Sequence, residues 1–333
     1  MKTARRILFA VKDPAAQRES AALQGITLAK SLGASIEFFH SISSPVFIDL
    51  QPLTGTASLP DVKREVAAGR REELEKLVAL ARRKGVRAGS HVEWDYPPHE
   101  AILRRVEKSG ADLIVAEVHQ GSRAKRWIMK LNDWELLRAS AVPVLLLKEG
   151  APALARTPVL AAIDPSHAHS KPSGLDANIL ETAGRIANAL GGKLHLVHSV
   201  QPGFYGLPTG GDPAIDAQML AARHEVIRER RRKQFDGVAA RVDVPAGRRH
   251  FVDGEPEAAI PRVAKKIGAG LVVMGAVSRS GLKRLFIGNT AERVLEELPC
   301  DVLVIHPKRT KARVPAKPRG MKVVMSTPLM PAV

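Results

Sequence analysis

Two tandem α/β domains, each with a five-stranded parallel sheet and related by a pseudo-twofold axis, are the fold this sequence predicts. Three observations predict it. Short β-branched runs alternate with longer helical patterns, the signature of βαβ units. The pattern of residues 7–148 returns in degenerate form over 159–307: IEFFHS (Ile36–Ser41) as LHLVHS (Leu194–Ser199), and Asp95-Tyr-Pro-Pro98-His-Glu-Ala-Ile102 as Asp253-Gly-Glu-Pro256-Glu-Ala-Ala-Ile260. His40 and His198, Asp95 and Asp253, and Pro98 and Pro256 are each 158 positions apart, so the two copies hold one register. A repeat this long means two domains that each bury a core, not a short-period solenoid.

Taken in order, the first copy offers strands at Arg6–Val11, Ile36–His40, Ser90–Trp94, Leu113–Glu117 and Val144–Leu147. Between them lie helical patterns at Ala15–Leu32, Val62–Lys84 (apolar Leu74, Leu77, Val78 and Ala81 at helical spacing), Pro98–Lys108 and Trp127–Ala139. The second copy offers strands at Val159–Ile163, Leu194–His198, Arg249–Val252, Leu271–Met274 and Val302–Ile305, with helices at Asn178–Leu190, Ala217–Ala239, Glu255–Lys266 and Thr290–Glu297. Gly33 and Gly191 stand where each first helix should stop. Pro143 precedes a strand, where proline is tolerated. The division is a first domain at 1–149, a linker at 150–157, a second domain at 158–307 and a basic, proline-rich tail at 308–333. The second copy also carries an insertion, Ser166–Gly174.

Composition bounds the function. The 333 residues are 45% hydrophobic, and no run approaches the ~20 apolar residues of a membrane span. The start MKTARRILFAVKD has only a strand-length apolar run, so no signal peptide is expected. Cys300 is the sole cysteine, which fits a reducing cytoplasm and no intrachain disulfide. The net charge of +17 raises a nucleic acid or anionic surface as partner. Yet seven basic residues and no acidic one fall in the tail after Pro307, and aromatic residues are only 4% of the chain, leaving few stacking platforms. The tail has no apolar period and is expected not to pack, making at most weak nonspecific contact with anions or nucleic acid.

Chemistry-bearing patterns are sparse. After the strand LVVM comes Gly275-Ala-Val-Ser278-Arg279-Ser-Gly281-Leu-Lys283-Arg284-Leu-Phe-Ile-Gly288-Asn289-Thr290, leading into a helix. Loops at the carboxyl ends of parallel strands border the ligand crevice. A helix start with small residues offers N–H groups to an anion, and Arg279, Lys283 and Arg284 add charge. A tight turn with an Asn/Thr helix cap accounts for the same spacing without a ligand. His167 and His169 lie in the insertion with no cysteine or carboxylate cluster beside them, so no metal is expected. His40 and His198 read as strand-end residues, and Trp127 and Trp134 as one packed helix face. The RERRRK run within Arg223–Lys233 reads as a solvated face. No Ser-His-Asp order, HExxH or GxxxxGK[ST] motif occurs.

These phrases together resemble the universal stress protein family in its tandem form. The resemblance is carried by VEWDYPPHEAI and NDWELLRASAVPVLLLK in the first half, and by VMGAVSRSGLKRLFIGNTAERVLEELPCDVLVIHPK in the second. It covers nearly everything from Arg6 to Pro307. It implies a non-catalytic stress-response protein, with roles under DNA-damaging or oxygen-limited conditions, and ATP binding in many members. Carried over residue by residue, Ile163 and Asp164 fall at the adenine edge and Ser199 at the end of the second strand. Met274, Gly275, Ser278, Arg279, Gly288, Asn289 and Thr290 fall on the ribose and phosphates. Ser278 departs from the pattern where a glycine is usual, and Asn289 where a Ser/Thr hydroxyl is usual. In the first copy Glu117, Gln120 and Lys130 replace Gly275, Ser278 and Gly288; Asp13 stands for Asp164, in an Asp-Pro turn. A carboxylate at 117 would repel phosphate, so ATP is expected in the second domain only. The resemblance also implies an intramolecular pseudo-dimer through the Val144–Leu147 and Val302–Ile305 strands, and leaves a homodimer open. Two alternatives stand beside this reading: a slow nucleotide hydrolase, and a scaffold whose pocket is vestigial, apolar or lipid-like.

Overall fold

A computed structural model describes residues 5–43, 46–49, 59–118, 131–165, 174–200, 213–276, 289–307, 314–320 and 323–326. The chain divides into two compact units. One is built on Ala4–Val118, Met129–Val144 and Lys311–Val333, the other on Leu145–Thr310.

The N-terminal unit holds parallel strands β1 (Arg6–Ala10), β2 (Ser35–Ile42), β4 (Ala88–Trp94) and β5 (Leu113–Val118) in the order β4-β2-β1-β5. Its helices are α1 (Glu19–Leu32), α2 (Leu59–Arg83), α3 (Pro98–Ser109) and α4 (Leu131–Ala139). A short strand β3 (Val46–Asp49) follows β2. Ile7–Ala10 of β1 and Leu113–Ala116 of β5 read as apolar runs because both faces are covered: Ile7, Leu8, Phe9, Ile114 and Val115 are fully buried. α1 stops at Gly33, whose φ of 64° lets its N–H close back on Ala29 and Lys30; Gly191 ends the matching helix at φ 68°.

The C-terminal unit holds β6 (Val144–Lys148, of which Leu145 onward belongs here), β7 (Val159–Ala162), β8 (Leu194–Val200), β9 (Arg249–Asp253), β10 (Leu271–Gly275) and β11 (Asp301–Ile305). Its order is β6-β11-β10-β7-β8-β9, so the repeat's own five strands run third, second, first, fourth, fifth. The matching strands of the first copy, β4, β2, β1 and β5, run in the same sense. Helices α5 (Leu175–Leu190), α6 (Pro213–Arg241), α7 (Pro256–Ile267) and α8 (Asn289–Glu297) accompany them. β6 is fixed by polar contacts: the Lys148 N–H donates to Asp301 Oδ1 at 2.8 Å, and its Nζ donates to the carbonyls of Leu295 and Leu298 at the end of α8. Burial pushes that ammonium down to about 8 and the neighbouring Cys300 thiol up to about 12, so the lone cysteine is inert at neutral pH.

Sequence and structure differ in four instructive places. α1 begins at Glu19 rather than Ala15, because Asp13 Oδ1 accepts the Ala15 N–H at 3.2 Å and holds a turn there. β3 and a 3₁₀ turn at Ala246–Arg248 were not foreseen. Trp127 lies outside the described residues, as do His167 and His169. The largest correction concerns the tail. It does pack: β12 (Val323–Ser326) pairs in parallel with β3, and residues 314–320 bond to the N-terminal unit. Its ordering rests on backbone hydrogen bonds and ion pairs, so apolar periodicity could not reveal it.

Candidate functional site

In a sheet of this order the crevice opens at the carboxyl ends of the first and fourth strands, where the connections diverge to opposite faces. In the C-terminal unit these are β7 and β10, paired directly through Val159–Ala161 and Leu271–Val273. Their ends and that of β8 bring together five of the expected residues. The Ile163 carbonyl lies 3.1 Å from His198 Nδ1, which donates to it. Asp164 follows, its carboxylate 3.8 Å from the same ring. The Ser199 hydroxyl donates to the Gly254 carbonyl. Met274 is buried beside Val304, and Gly275 ends β10 beside Ile305. Asn289 and Thr290 open α8. Ser278, Arg279 and Gly288 lie outside the described residues.

Gly275 has a packing reason of its own. A Cβ there would meet Leu175 Cδ2 at 2.8 Å and Ile179 Cδ1 at 3.1 Å, so the first turn of α5 leans on its bare Cα. Glu117, 158 positions earlier, is buried, and Gln17, 158 positions before Leu175, reaches it: Gln17 Nε2 donates to Oε2 at 2.7 Å, and the Arg18 guanidinium pairs with Oε1. One copy fills the space with glycine and leucine, the other with a carboxylate and its donors. The charge of Glu117 is thus met by Arg18.

The hydrogen bonds also correct one equivalence. The Val11 N–H donates to Phe39 O, as the Ile163 N–H does to Val197 O, and His40 Nδ1 meets Val11 O at 2.9 Å as His198 meets Ile163 O. The residue matching Asp164 is thus Lys12, not Asp13. The two histidines are the strand-end residues the sequence suggested, each meeting a neighbouring carbonyl through Nδ1, and burial lowers the pKa of His40.

Lys12 opens a cavity that sequence reasoning missed. About 210 Å³ of space lies at the carboxyl ends of β1, β2 and β5. Its walls are chiefly apolar, among them Val11, Phe39, Ile102, Ala116 and Leu136. Two pairs of polar groups in the lining engage each other: Lys12 Nζ pairs with Asp133 at 2.8 Å, and His99 Nδ1 lies 3.2 Å from Asn132 Oδ1. The Ser41 hydroxyl donates to the Asp95 carbonyl at 2.6 Å. No single residue signals this cavity in the sequence; it forms because five separate segments converge. Among the described residues no group of three or more His, Cys, Asp or Glu side chains is arranged to hold a metal, and no helix is long and apolar enough to cross a membrane.

Against this geometry the chain was compared with known proteins. The universal stress protein family model matches residues 3–148 and 156–306, and the chain belongs to that family. It is similar to Universal stress protein E of Escherichia coli K12, 28% identical over 92% of this chain and 96% of that one. The Haemophilus influenzae homolog of that protein is 29% identical over 66% of this chain and 70% of its own length. Among solved structures, a functionally unknown protein from Pseudomonas aeruginosa PAO1 superposes with a TM-score of 0.65, at 25% identity over 92% of this chain and 93% of its own. A universal stress protein from Archaeoglobus fulgidus, at 22% identity and TM-score 0.56 over 92% and 97%, shares the fold.

Proposed function

We propose that this is a non-catalytic, cytoplasmic stress-response protein that works by binding, its C-terminal domain taking ATP or a related nucleotide or small anion weakly and without a resident metal. The observation that supports it is the adjacency of β7 and β10. Ile163 and Asp164 follow the carboxyl end of the one strand and Gly275 ends the other, with the start of α8 at Asn289 following the glycine-bearing loop. Asp164 would accept from an exocyclic amine, and the N-terminal amides of α8 would face phosphate. Calorimetry and thermal shift with ATP test this reading, alongside absorbance and mass of the protein as purified. Weak saturable heat, reduced by Asp164→Ala, is expected; neither heat nor thermal shift at millimolar ATP ends the nucleotide reading. ADP release above buffer would replace binding by slow hydrolysis.

The N-terminal cavity favours a second reading, in which the first domain is a scaffold with an apolar pocket. Among the described residues of its lining the lysine, Lys12, is committed to Asp133, so the cavity suits a small uncharged molecule rather than a phosphate ester. Its size exceeds the ~150 Å³ of an engineered apolar cavity that admits benzene, so a ring-sized guest fits.

A further inference from the structure

Asp95 is fully buried at the end of β4, and Arg104 on α3 is 2% exposed. Arg104 donates through Nε at 2.9 Å and through Nη2 to Asp95 Oδ2, and through Nη1 to Glu100 Oε2 at 3.2 Å. Two polar atoms of this cluster are completed from the tail. Arg104 Nη1 also donates to the Pro315 carbonyl at 3.0 Å, and Asp95 Oδ1 accepts the Arg319 N–H at 2.8 Å beside that of Tyr96 at 2.9 Å. The Arg319 side chain forks onto Glu100, with Nη2 to Oε1 at 2.9 Å and Nε to Oε2 at 3.3 Å. Its guanidinium carbon sits 6.0 Å from the centre of the Tyr96 ring. A backbone carbonyl, a backbone N–H four residues later and a basic side chain are thus each met by a matching group. That is how peptide segments are recognised.

The same segment continues into β12, which pairs with β3. β3 begins three residues after Ser43, which lines the cavity, and Pro98 and His99 line it just beyond Asp95. The tail therefore binds within three residues of the lining on either side, at Asp95 before Pro98 and at β3 after Ser43.

We propose that Asp95, Tyr96, Glu100 and Arg104 form a receptor for a proline-flanked basic segment, occupied in cis by residues 315–319, and that this docking latches β3 at the rim of the N-terminal cavity. The docking stands on its own contacts; only its effect on access to the cavity rests on the apolar-pocket reading above.

The test uses the full-length chain. Arg319→Glu sets a carboxylate against Glu100, whereas Arg319→Lys keeps the positive charge there. Hydrogen exchange at residues 46–49 and 323–326 is expected to quicken roughly tenfold or more in Arg319→Glu and to stay near that of the unaltered chain in Arg319→Lys, with exchange in β8 unchanged as the control for folding. A labelled peptide of residues 311–326 should bind Arg319→Glu saturably, bind the unaltered chain at least about tenfold more weakly because the site is filled, and weaken with added salt. Unchanged exchange at β3 together with no peptide binding to Arg319→Glu overturns the proposal. Uptake of the neutral dye N-phenyl-1-naphthylamine reads the cavity separately. Faster uptake in Arg319→Glu supports the latch; no uptake by either protein removes the apolar-pocket reading and leaves the docking to be judged by exchange and peptide.

Discussion

The loops that follow the third strand of each repeat began as the same phrase and now do opposite things. In the sequence Asp95 and Asp253 keep one register. In the structure Trp94, not Asp95, takes the place of Asp253: Ile42 pairs with Trp94, and Val200 with Asp253. One extra residue in the N-terminal loop carries its aspartate past the strand end and inward, where it meets Arg104. Asp253 stays on the strand with its side chain about half exposed, paired with an exposed fork from Arg228 at 3.1 Å. A one-residue slip thus separates a buried ion pair from a surface one, and the two differ in energy far more than in sequence. The buried pair has a further consequence: its remaining acceptor and donor are satisfied by the tail.

The sharpest way to break this comparison is to neutralise both aspartates. Asp95→Asn strands the buried Arg104 and is expected to cost about 3–5 kcal/mol. Asp253→Asn should cost about 0.2–1 kcal/mol. Urea unfolding of the two variants decides it; equal losses would mean the two loops are energetically alike. The next effect contrasts the glycine–leucine and carboxylate–amide solutions beneath the first helices. Gly275→Ala forces its methyl into Leu175 and should cost about 1–3 kcal/mol. Adding Leu175→Ala should give a double variant less destabilised than the two single losses combined. Glu117→Ala removes one acceptor each from Gln17 and Arg18, for about 1–3 kcal/mol. If Gly275→Ala proved silent for stability yet abolished nucleotide binding, glycine would be there for the ligand rather than the helix.

A smaller, pH-dependent difference lies on the second strands. His195 faces His250, ring centres 5.4 Å apart and Nδ1 to Nε2 3.1 Å, so the pair shares one N–H donor when neutral. Burial first, and then the neighbouring His250, pushes the His195 imidazole down to about 4. The unfolded chain, titrating near the ordinary 6.5, binds the proton first. Stability from this group is therefore full above pH 6.5 and is lost progressively as pH falls toward about 4. At the corresponding place the N-terminal copy has Glu37, paired with Arg105. His195→Gln should accordingly flatten the acid limb of unfolding midpoints between pH 7 and pH 5, and an unchanged slope would assign that limb elsewhere.

Much of this architecture was legible. The offset of 158 located both copies of the fold, the strand runs named every strand of the two main sheets, and the stop glycines at 33 and 191 marked where the first helices end. The resemblance identified the family. The site was legible only in part: Ile163, Asp164, Ser199, Met274 and Gly275 do converge, because the order of strands dictates which ends meet. The substitution of Lys12 for Asp164 was hidden, since an aspartate one residue along offered a closer match in letters than in hydrogen bonding. The cavity beside Lys12 was hidden for a different reason: its walls come from segments over a hundred residues apart.

Periodicity and repetition belong to the sequence by itself, because the pleat of a strand and the turn of a helix are local and leave their period in the order of apolar residues. That order determined two sheets of the same topology and the family they belong to. Which aspartate is buried, what covers Gly275 and where the basic tail lies were decided only in three dimensions. Those outcomes depend on one-residue registers and on hydrogen bonds across more than two hundred positions, which composition does not record.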